Sequence, residues 1–168
     1  MRTIKTCLAV YTLAVLGTAF AAHAQPTSAD GQFMMDAAAG GMREMEMSRL
    51  AAAKASRPEV KALAQMLVDD HTMVNAELSE LAGRKKVALP TQPSAEVMAE
   101  QDQLSKLSGA AFDDAYLKAM IKGHEKGISL FTGESTSGAD PDAKAWAAKI
   151  LPKLKTHLGK VRELGGGR

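Results

Sequence analysis

The chain has 168 residues, of which 24% are charged and only 4% aromatic, with 21 basic and 19 acidic side chains and one cysteine. Arg2 and Lys5 belong to the N-terminal segment described below, and without them the chain has 19 basic and 19 acidic side chains. This balance argues against nucleic acid as a partner, because that partner requires a net basic face. Cys7 lies in the same segment, so the remainder cannot form a disulfide or use a thiolate.

The first residues are typical of a secretory signal peptide. Met1 to Lys5 is a short basic start, Cys7 to Ala21 is an apolar run, and Ala22-His23-Ala24 has the small residues of a cleavage site. The apolar run is shorter than the roughly 20 residues of a membrane span. We therefore predict a signal peptide over residues 1–24, a domain over residues 25–168 and no transmembrane segment. The protein is expected to be secreted, in the periplasm or at the outer membrane.

The rest of the sequence has the alanine, leucine and methionine content of helices, and its apolar residues recur with helical spacing. Ser56 is expected to cap the second of four long helices, which ends near Gly83. A proline-containing connector then leads to a short helix, capped by Ser94 and ending near Leu107. We predict the other three long helices over residues 32–55, 111–136 and 141–164, the last of them capped by Asp140.

The order of these elements predicts the topology. The first two long helices are joined by a very tight turn, and the second and third by a connector that has its own short helix. An all-α, ferritin-like four-helix bundle with one crossover is the fold that has such connections. We see no strand pattern, phosphate-binding glycine motif or nucleophile elbow in the sequence.

One polar residue interrupts the apolar face of each long helix. At about 1.5 Å per residue, Glu44, His71 and His124 lie roughly 18 to 20 Å from their helix starts, and His157 lies about 24 Å from its own. In a bundle of helices of similar length, the four side chains would share one level. Glu46, two residues after Glu44, falls on the polar side of its helix.

Inward polar groups from several helices are where bundles build metal sites. Neutral imidazole with carboxylate suits zinc, copper, iron or nickel. A di-iron centre needs a glutamate three residues before the histidine on two helices, and this chain has Val68, Ile121 and Leu154 at those positions. The candidate is therefore a mononuclear site for one divalent or copper ion. In the structural alternative, the four groups bond to one another and to the backbone and fix the register of the helices.

Five motifs in this sequence resemble a family of secreted bacterial proteins called domain of unknown function 4142. They fall in order on every long helix, and the resemblance covers nearly the whole chain after the signal peptide. It implies a ferritin-like fold and an envelope location, and it implies no activity. The motifs are GGMREME at 40–46, MLVDDH at 66–71, LSGAAFDDAY at 107–116, GHEK at 123–126 and LPKLKTHL at 151–158.

Three functions remain open at this point. The first is a non-enzymatic envelope bundle that acts by binding or interaction, the second a metal-binding protein, and the third a ferritin-like oxidase. We identify no catalytic residue, and Asp69 and Asp70 are expected to be solvated. The methionines of the first helix are interpreted as core packing rather than Cu(I) ligands. The basic last helix is interpreted as a solvated face, with an anionic envelope component as the alternative.

Overall fold

The computed structural model describes residues 28–166, so the predicted signal peptide lies outside the described residues. Within this range the chain forms helices and no strands. None of these helices is long and apolar enough to cross a membrane. The five helices are α1 (Ala29–Lys54), α2 (Pro58–Lys85), α3 (Ala95–Ser105), α4 (Gly109–Ser137) and α5 (Pro141–Gly165).

The four long helices form two antiparallel hairpins, α1 with α2 and α4 with α5, and α1 also packs on α4 and α2 on α5. Asp113, near the start of α4, binds Ser56, which lies just before α2. Ala139, just after α4, binds Asp30 at the start of α1. Helices α2 and α4 therefore run parallel, and the connector with α3 crosses the length of the bundle to join them. The predicted ferritin-like bundle with one crossover is confirmed.

The caps predicted for the short helix and for the last helix are both present. The Ser94 side chain accepts a hydrogen bond from the Val97 N–H, and Asp140 accepts from the N–H groups of Asp142 and Ala143. These side chains accept hydrogen bonds from N–H groups of the first helical turn, which have no backbone partner within the helix. α5 continues through Pro152.

The cap predicted for α2 was wrong. The N-cap position is Arg57, which makes no side-chain capping bond. The carboxylate of Asp113 on α4 accepts from the backbone N–H groups of the two residues just before the helix, Ser56 at 2.9 Å and Arg57 at 3.0 Å. The Ser56 hydroxyl donates to the same carboxylate at 2.7 Å. The start of α2 is thus held by a residue of another helix.

The interior contains two apolar clusters. One lies toward the start of α1 and includes Phe33, Leu78, Phe131 and Trp146. The other lies toward the end of α1 and includes Met47, Leu67, Phe112 and Tyr116. On each long helix, the inward polar residue falls between members of the two clusters. The bundle therefore has a polar layer at mid-height with an apolar core on either side.

Candidate metal centre

The polar layer is made by the four side chains that the sequence singles out. Glu44 is 6% exposed, His71 3%, His124 0% and His157 2%. Each comes from a different long helix, and all four point inward. His157, predicted at the edge of its apolar stripe, is as deeply buried as the others.

The three imidazoles face one another. Their ring centroids are 5.4 to 5.9 Å apart. One nitrogen from each ring can be chosen so that the three atoms lie within 4.8 Å of one another. Bonds from imidazole to zinc are about 2.0 to 2.1 Å, which places two ligand nitrogens at most about 4.2 Å apart, so the rings would share an ion after a small inward movement.

Glu44 lies beside two of these rings. Its Oε2 is 2.7 Å from Nε2 of His71 and 3.5 Å from Nε2 of His124. The shorter contact lacks the alignment of a hydrogen bond. Burial raises the pKa of Glu44, but the facing imidazoles lower it by more, so the pKa lies below its usual range. Glu44 is therefore a carboxylate at neutral pH.

The position of the ring proton can be deduced for His124. Nδ1 lies 2.9 Å from the backbone carbonyl oxygen of Met120, which can only accept, so Nδ1 donates. In the neutral ring, Nε2 then has a free lone pair. This nitrogen is buried and makes no hydrogen bond to any described residue.

His157 has the opposite arrangement, because Asp70 holds its other nitrogen. Nε2 lies 2.8 Å from Asp70 Oδ2, and Lys153 binds the second carboxylate oxygen at 2.5 Å. Burial raises the pKa of Asp70, but Lys153 and His157 lower it by more, so Asp70 is ionised and accepts. Nε2 is therefore the donor, and Nδ1 has the lone pair. Asp70 was expected to be solvated, and this interpretation was wrong.

Burial also determines the protonation of His157. It lowers the pKa of this ring to about 4, and the neighbouring carboxylate of Asp70 offsets only part of the effect. Desolvation penalises the charged imidazolium more than the neutral ring. His157 is therefore neutral at pH 7, as a metal ligand must be.

The buried atoms of the layer have few partners. Among residues 28–166, no hydrogen bond reaches Oε2 of Glu44, Nε2 of His124, Nδ1 of His157 or either ring nitrogen of His71. Buried polar atoms are normally bonded, so a group of unpartnered atoms requires an explanation. Several of these atoms carry lone pairs, and Glu44 carries a negative charge, so the layer has the chemistry of a cation site.

Gly123 makes room for Glu44 in this layer. A Cβ atom at position 123 would lie 3.0 Å from Glu44 Oε1 and 2.9 Å from Arg43 Nη1. Arg43 in turn forms a two-bond ion pair with Glu100 of α3, including an Nε–Oε2 contact of 2.7 Å. Gly41 of α1 likewise leaves no space for a side chain, because Asn75 of α2 packs against it. Gly41 and Gly123 thus make room for side chains in and around the layer.

The other polar residues of the core serve the fold. Asp113 holds the start of α2, as described above. The Tyr116 hydroxyl is hydrogen-bonded to the Ser48 hydroxyl at 2.9 Å, and burial raises the pKa of the tyrosine. Met34 and Met47 are buried in the two apolar clusters, in agreement with their interpretation as packing residues.

Solved structures with this fold include proteins of unknown function. A DUF305 protein from Streptomyces coelicolor is 18% identical, with a TM-score of 0.70 over 83% of this chain and 93% of its own. A DUF305 fragment from Deinococcus radiodurans is 16% identical, with a TM-score of 0.73 over 84% and 99%. The protein CopM in its Cu(II)-bound form is 19% identical, with a TM-score of 0.68 over 82% and 95%. At these identities the likeness shows the fold.

The family comparison extends over most of the sequence. No curated protein matches the chain. The family described as domain of unknown function, DUF4142, matches residues 16–164, a range that includes all four inward polar residues and the five motifs quoted above. The chain therefore belongs to the DUF4142 family.

Proposed function

We propose that this protein binds one transition-metal ion in the polar layer, with copper as the first candidate. His71, His124 and His157 would be the ligands, and Glu44 would be a fourth ligand or the nearest counter-charge. The observation that carries the proposal is the group of buried atoms in this layer that make no hydrogen bond to any residue of 28–166.

The structural alternative explains this observation less well. If the four groups served only to fix the helix register, they should bond to one another or to the backbone. His124 binds the backbone and His157 binds Asp70, with one nitrogen each, and their other nitrogens make no hydrogen bond. Within the group of four, Glu44 and His71 lie at ion-pair distance, 2.7 Å, without the geometry of a hydrogen bond. An unsatisfied buried polar atom costs about 1 to 3 kcal/mol. A bound cation would satisfy the lone pairs and balance the charge of Glu44.

The ligand set favours copper over the other ions. Three imidazoles suit zinc, copper, iron and nickel, and divalent copper binds most tightly in the usual order of stability. The same fold in a solved structure of CopM holds Cu(II). No glutamate precedes the histidines in the positions that a di-iron centre needs, which favours one ion over two.

The sequence supports a location outside the cytoplasm. We infer that residues 1–24 are a signal peptide and that residues 25–168 act in the periplasm or at the outer membrane. The domain would bind or carry the ion there, because the described part of the layer has no nucleophile, and Asp70, the second carboxylate beside the ligands, is bonded to His157 and Lys153.

The test is metal binding by protein purified without a chelator and without a nickel column. Wild type is titrated with Cu(II) and with Zn(II) by calorimetry, and the thermal midpoint is recorded with and without one equivalent of ion. One site should be found, tighter for Cu(II), and the ion should raise the midpoint because it binds only the folded state. His71→Ala or His124→Ala should abolish both effects.

Glu46→Gln is the matched control, because Glu46 lies on the same helix as Glu44 and binds Arg49 on the surface. This variant should bind as wild type does. Affinity that is unchanged in both histidine variants would rule out this site.

A further inference from the structure

A cleft of about 580 Å³ opens between α1 and α4 beneath α3. Its inner wall includes the side chains of Glu44 and His71. Small residues of α1 and α4 form part of its lining. These residues are Ala37, Gly40, Gly41, Gly123 and Gly127.

The outer part of the cleft is crossed by an ion pair. Arg43 of α1 lies over Gly123 of α4 and binds Glu100 of α3 with two hydrogen bonds. All three residues line the cleft. Arg43 and Glu100 are partly exposed, with 20% and 39% of their side chains accessible. The pair thus lies between solvent and the buried carboxylate of Glu44.

We propose that this cleft is the route by which the metal ion reaches and leaves the polar layer, and that the Arg43–Glu100 pair closes it. The proposal rests on the proposed metal-binding function. Glu44 is the first ligand along the route, since it lines the cleft and also contacts His71 and His124. Its Oε1 lies on the side of Gly123 and Arg43 and its Oε2 beside the imidazoles, so the carboxylate can take the ion before the imidazoles do.

Two other features agree with this route. The layer has an apolar cluster on either side along the bundle axis, and passage through either would strip a cation of its water. The cleft is large enough for a cation with its first shell of water, at roughly 30 Å³ per water molecule. Its lining includes two acidic side chains, Asp36 and Glu96, and two basic ones, Lys122 and Lys126, which balance in charge.

Arg43→Gln tests the closing role of the ion pair. The shorter, neutral side chain removes both the barrier across Gly123 and a positive charge that repels the incoming ion. We expect Cu(II) uptake and release to accelerate by about tenfold, which corresponds to ~1.4 kcal/mol on the barrier. Arg49→Gln is the matched control, because it removes the same charge from the same helix at a position outside the cleft.

Gly40→Leu tests the route itself. A Cβ atom at position 40 meets nothing within 4 Å, so the leucine can be accommodated, and it would narrow the cleft that Gly40 lines. We expect uptake and release to slow by a similar factor, with little change in equilibrium affinity. Gly133→Leu is the control, because Gly133 is also a helical glycine with free space and lies outside the cleft.

Rates are measured by stopped-flow mixing with Cu(II) and by transfer of bound copper to a chelator, and affinities by equilibrium titration. Quenching of Trp146, the single tryptophan of the chain, reports uptake, since this residue lies in the cleft wall.

Opposite rate changes in Arg43→Gln and Gly40→Leu, with both controls like wild type, support the route. Tight binding with unchanged rates in these two variants would overturn the route and leave the metal site intact. Absence of binding in wild type would overturn the proposed function itself.

Discussion

Asp70 Oδ2 lies 2.8 Å from Nε2 of His157, and this contact determines which nitrogen of the ring faces the polar layer. The carboxylate accepts the proton of Nε2 and leaves the lone pair on Nδ1. Carboxylates that bind the far nitrogen of a metal-ligating histidine fix its orientation and strengthen it as a ligand. Asp70 is thus a positioning residue, and Lys153 holds it from α5 itself.

We expect Asp70→Ala to weaken Cu(II) binding by roughly 10- to 100-fold, the usual effect of removing such a partner. His157 would lose both its orientation and the preference for a lone pair on Nδ1. Asp69→Ala is the control, because Asp69 is the neighbouring aspartate and is exposed. Calorimetric titration with Cu(II) measures both variants. If Asp70→Ala and Asp69→Ala bind the ion equally tightly, Asp70 does not position the ring.

The low pKa of His157 makes the metal-free protein sensitive to acid. The folded ring titrates at about 4, whereas the unfolded ring titrates near 6.5. Between these values the unfolded state binds more protons, so this contribution to stability is full above pH 6.5 and is lost as pH falls toward 4. Its size is up to about 3 kcal/mol, since one pKa unit is 1.36 kcal/mol. Denaturant unfolding in the presence of a chelator should show this loss as a difference: the unfolding free energy of wild type minus that of His157→Leu should fall as pH falls from 6.5 toward 4.

Glu134 should make the protein less stable as pH rises, which is opposite to the effect of His157. It is 8% exposed at the end of α4, and burial together with the nearby Asp30 raises its pKa to about 7. Its unfolded value is near 4.5, so its contribution to stability is full below pH 4.5 and is lost as pH rises through 7. Glu134→Gln imitates the protonated form and should be more stable than wild type at pH 8, by up to about 3 kcal/mol.

The control for that experiment is Glu125→Gln, an exposed glutamate of the same helix that binds Arg162. It should follow the wild-type pH profile. Between about pH 4.5 and 6.5, His157 and Glu134 change the unfolding free energy with pH in opposite directions. Wild type can therefore appear insensitive to pH in this window, whereas His157→Leu and Glu134→Gln should each show a clear pH dependence. A Glu134→Gln profile parallel to wild type from pH 4.5 to 8 would contradict the raised pKa.

Asp113→Ala should destabilise the protein by about 2 to 3 kcal/mol, because two backbone N–H groups at the start of α2 lose their acceptor. The side chain is fully buried and bonds to Ser56 and Arg57. Asp102→Ala, which removes an exposed ion pair with Lys106 within α3, should cost only a few tenths of a kcal/mol. Urea unfolding measures both, and similar losses would mean that the bonds of Asp113 to the segment before α2 contribute little to stability.

The depth of the inward residues could be predicted from the sequence, and their partners could not. Helical periodicity and distance from the helix start placed His71 and His124 on an apolar face at one level. Asp70 looked solvated because its position on α2 is at the border of the apolar stripe. Its partner His157 is 87 residues away, and only the packing of α5 on α2 brings them together.

The cap of α2 shows the same limit. Ser56-Arg57-Pro58-Glu59 matches a local capping pattern, so Ser56 was the natural choice. Asp113, 57 residues away, accepts from the N–H and the hydroxyl of Ser56, and the helix begins one residue later, with Arg57 at the N-cap position. Local patterns predict which atoms need a partner, and tertiary packing decides which side chain provides it.

Because the polar layer takes one residue from each of four helices, its assembly requires the folded bundle. Under the proposed function, the last ligand belongs to α5, the final helix of the described chain, so an incomplete or unfolded chain offers no assembled centre. A polypeptide that crosses a membrane unfolded would arrive without its ion. Metal loading would then come after folding and would depend on the metal available in the compartment where the protein folds.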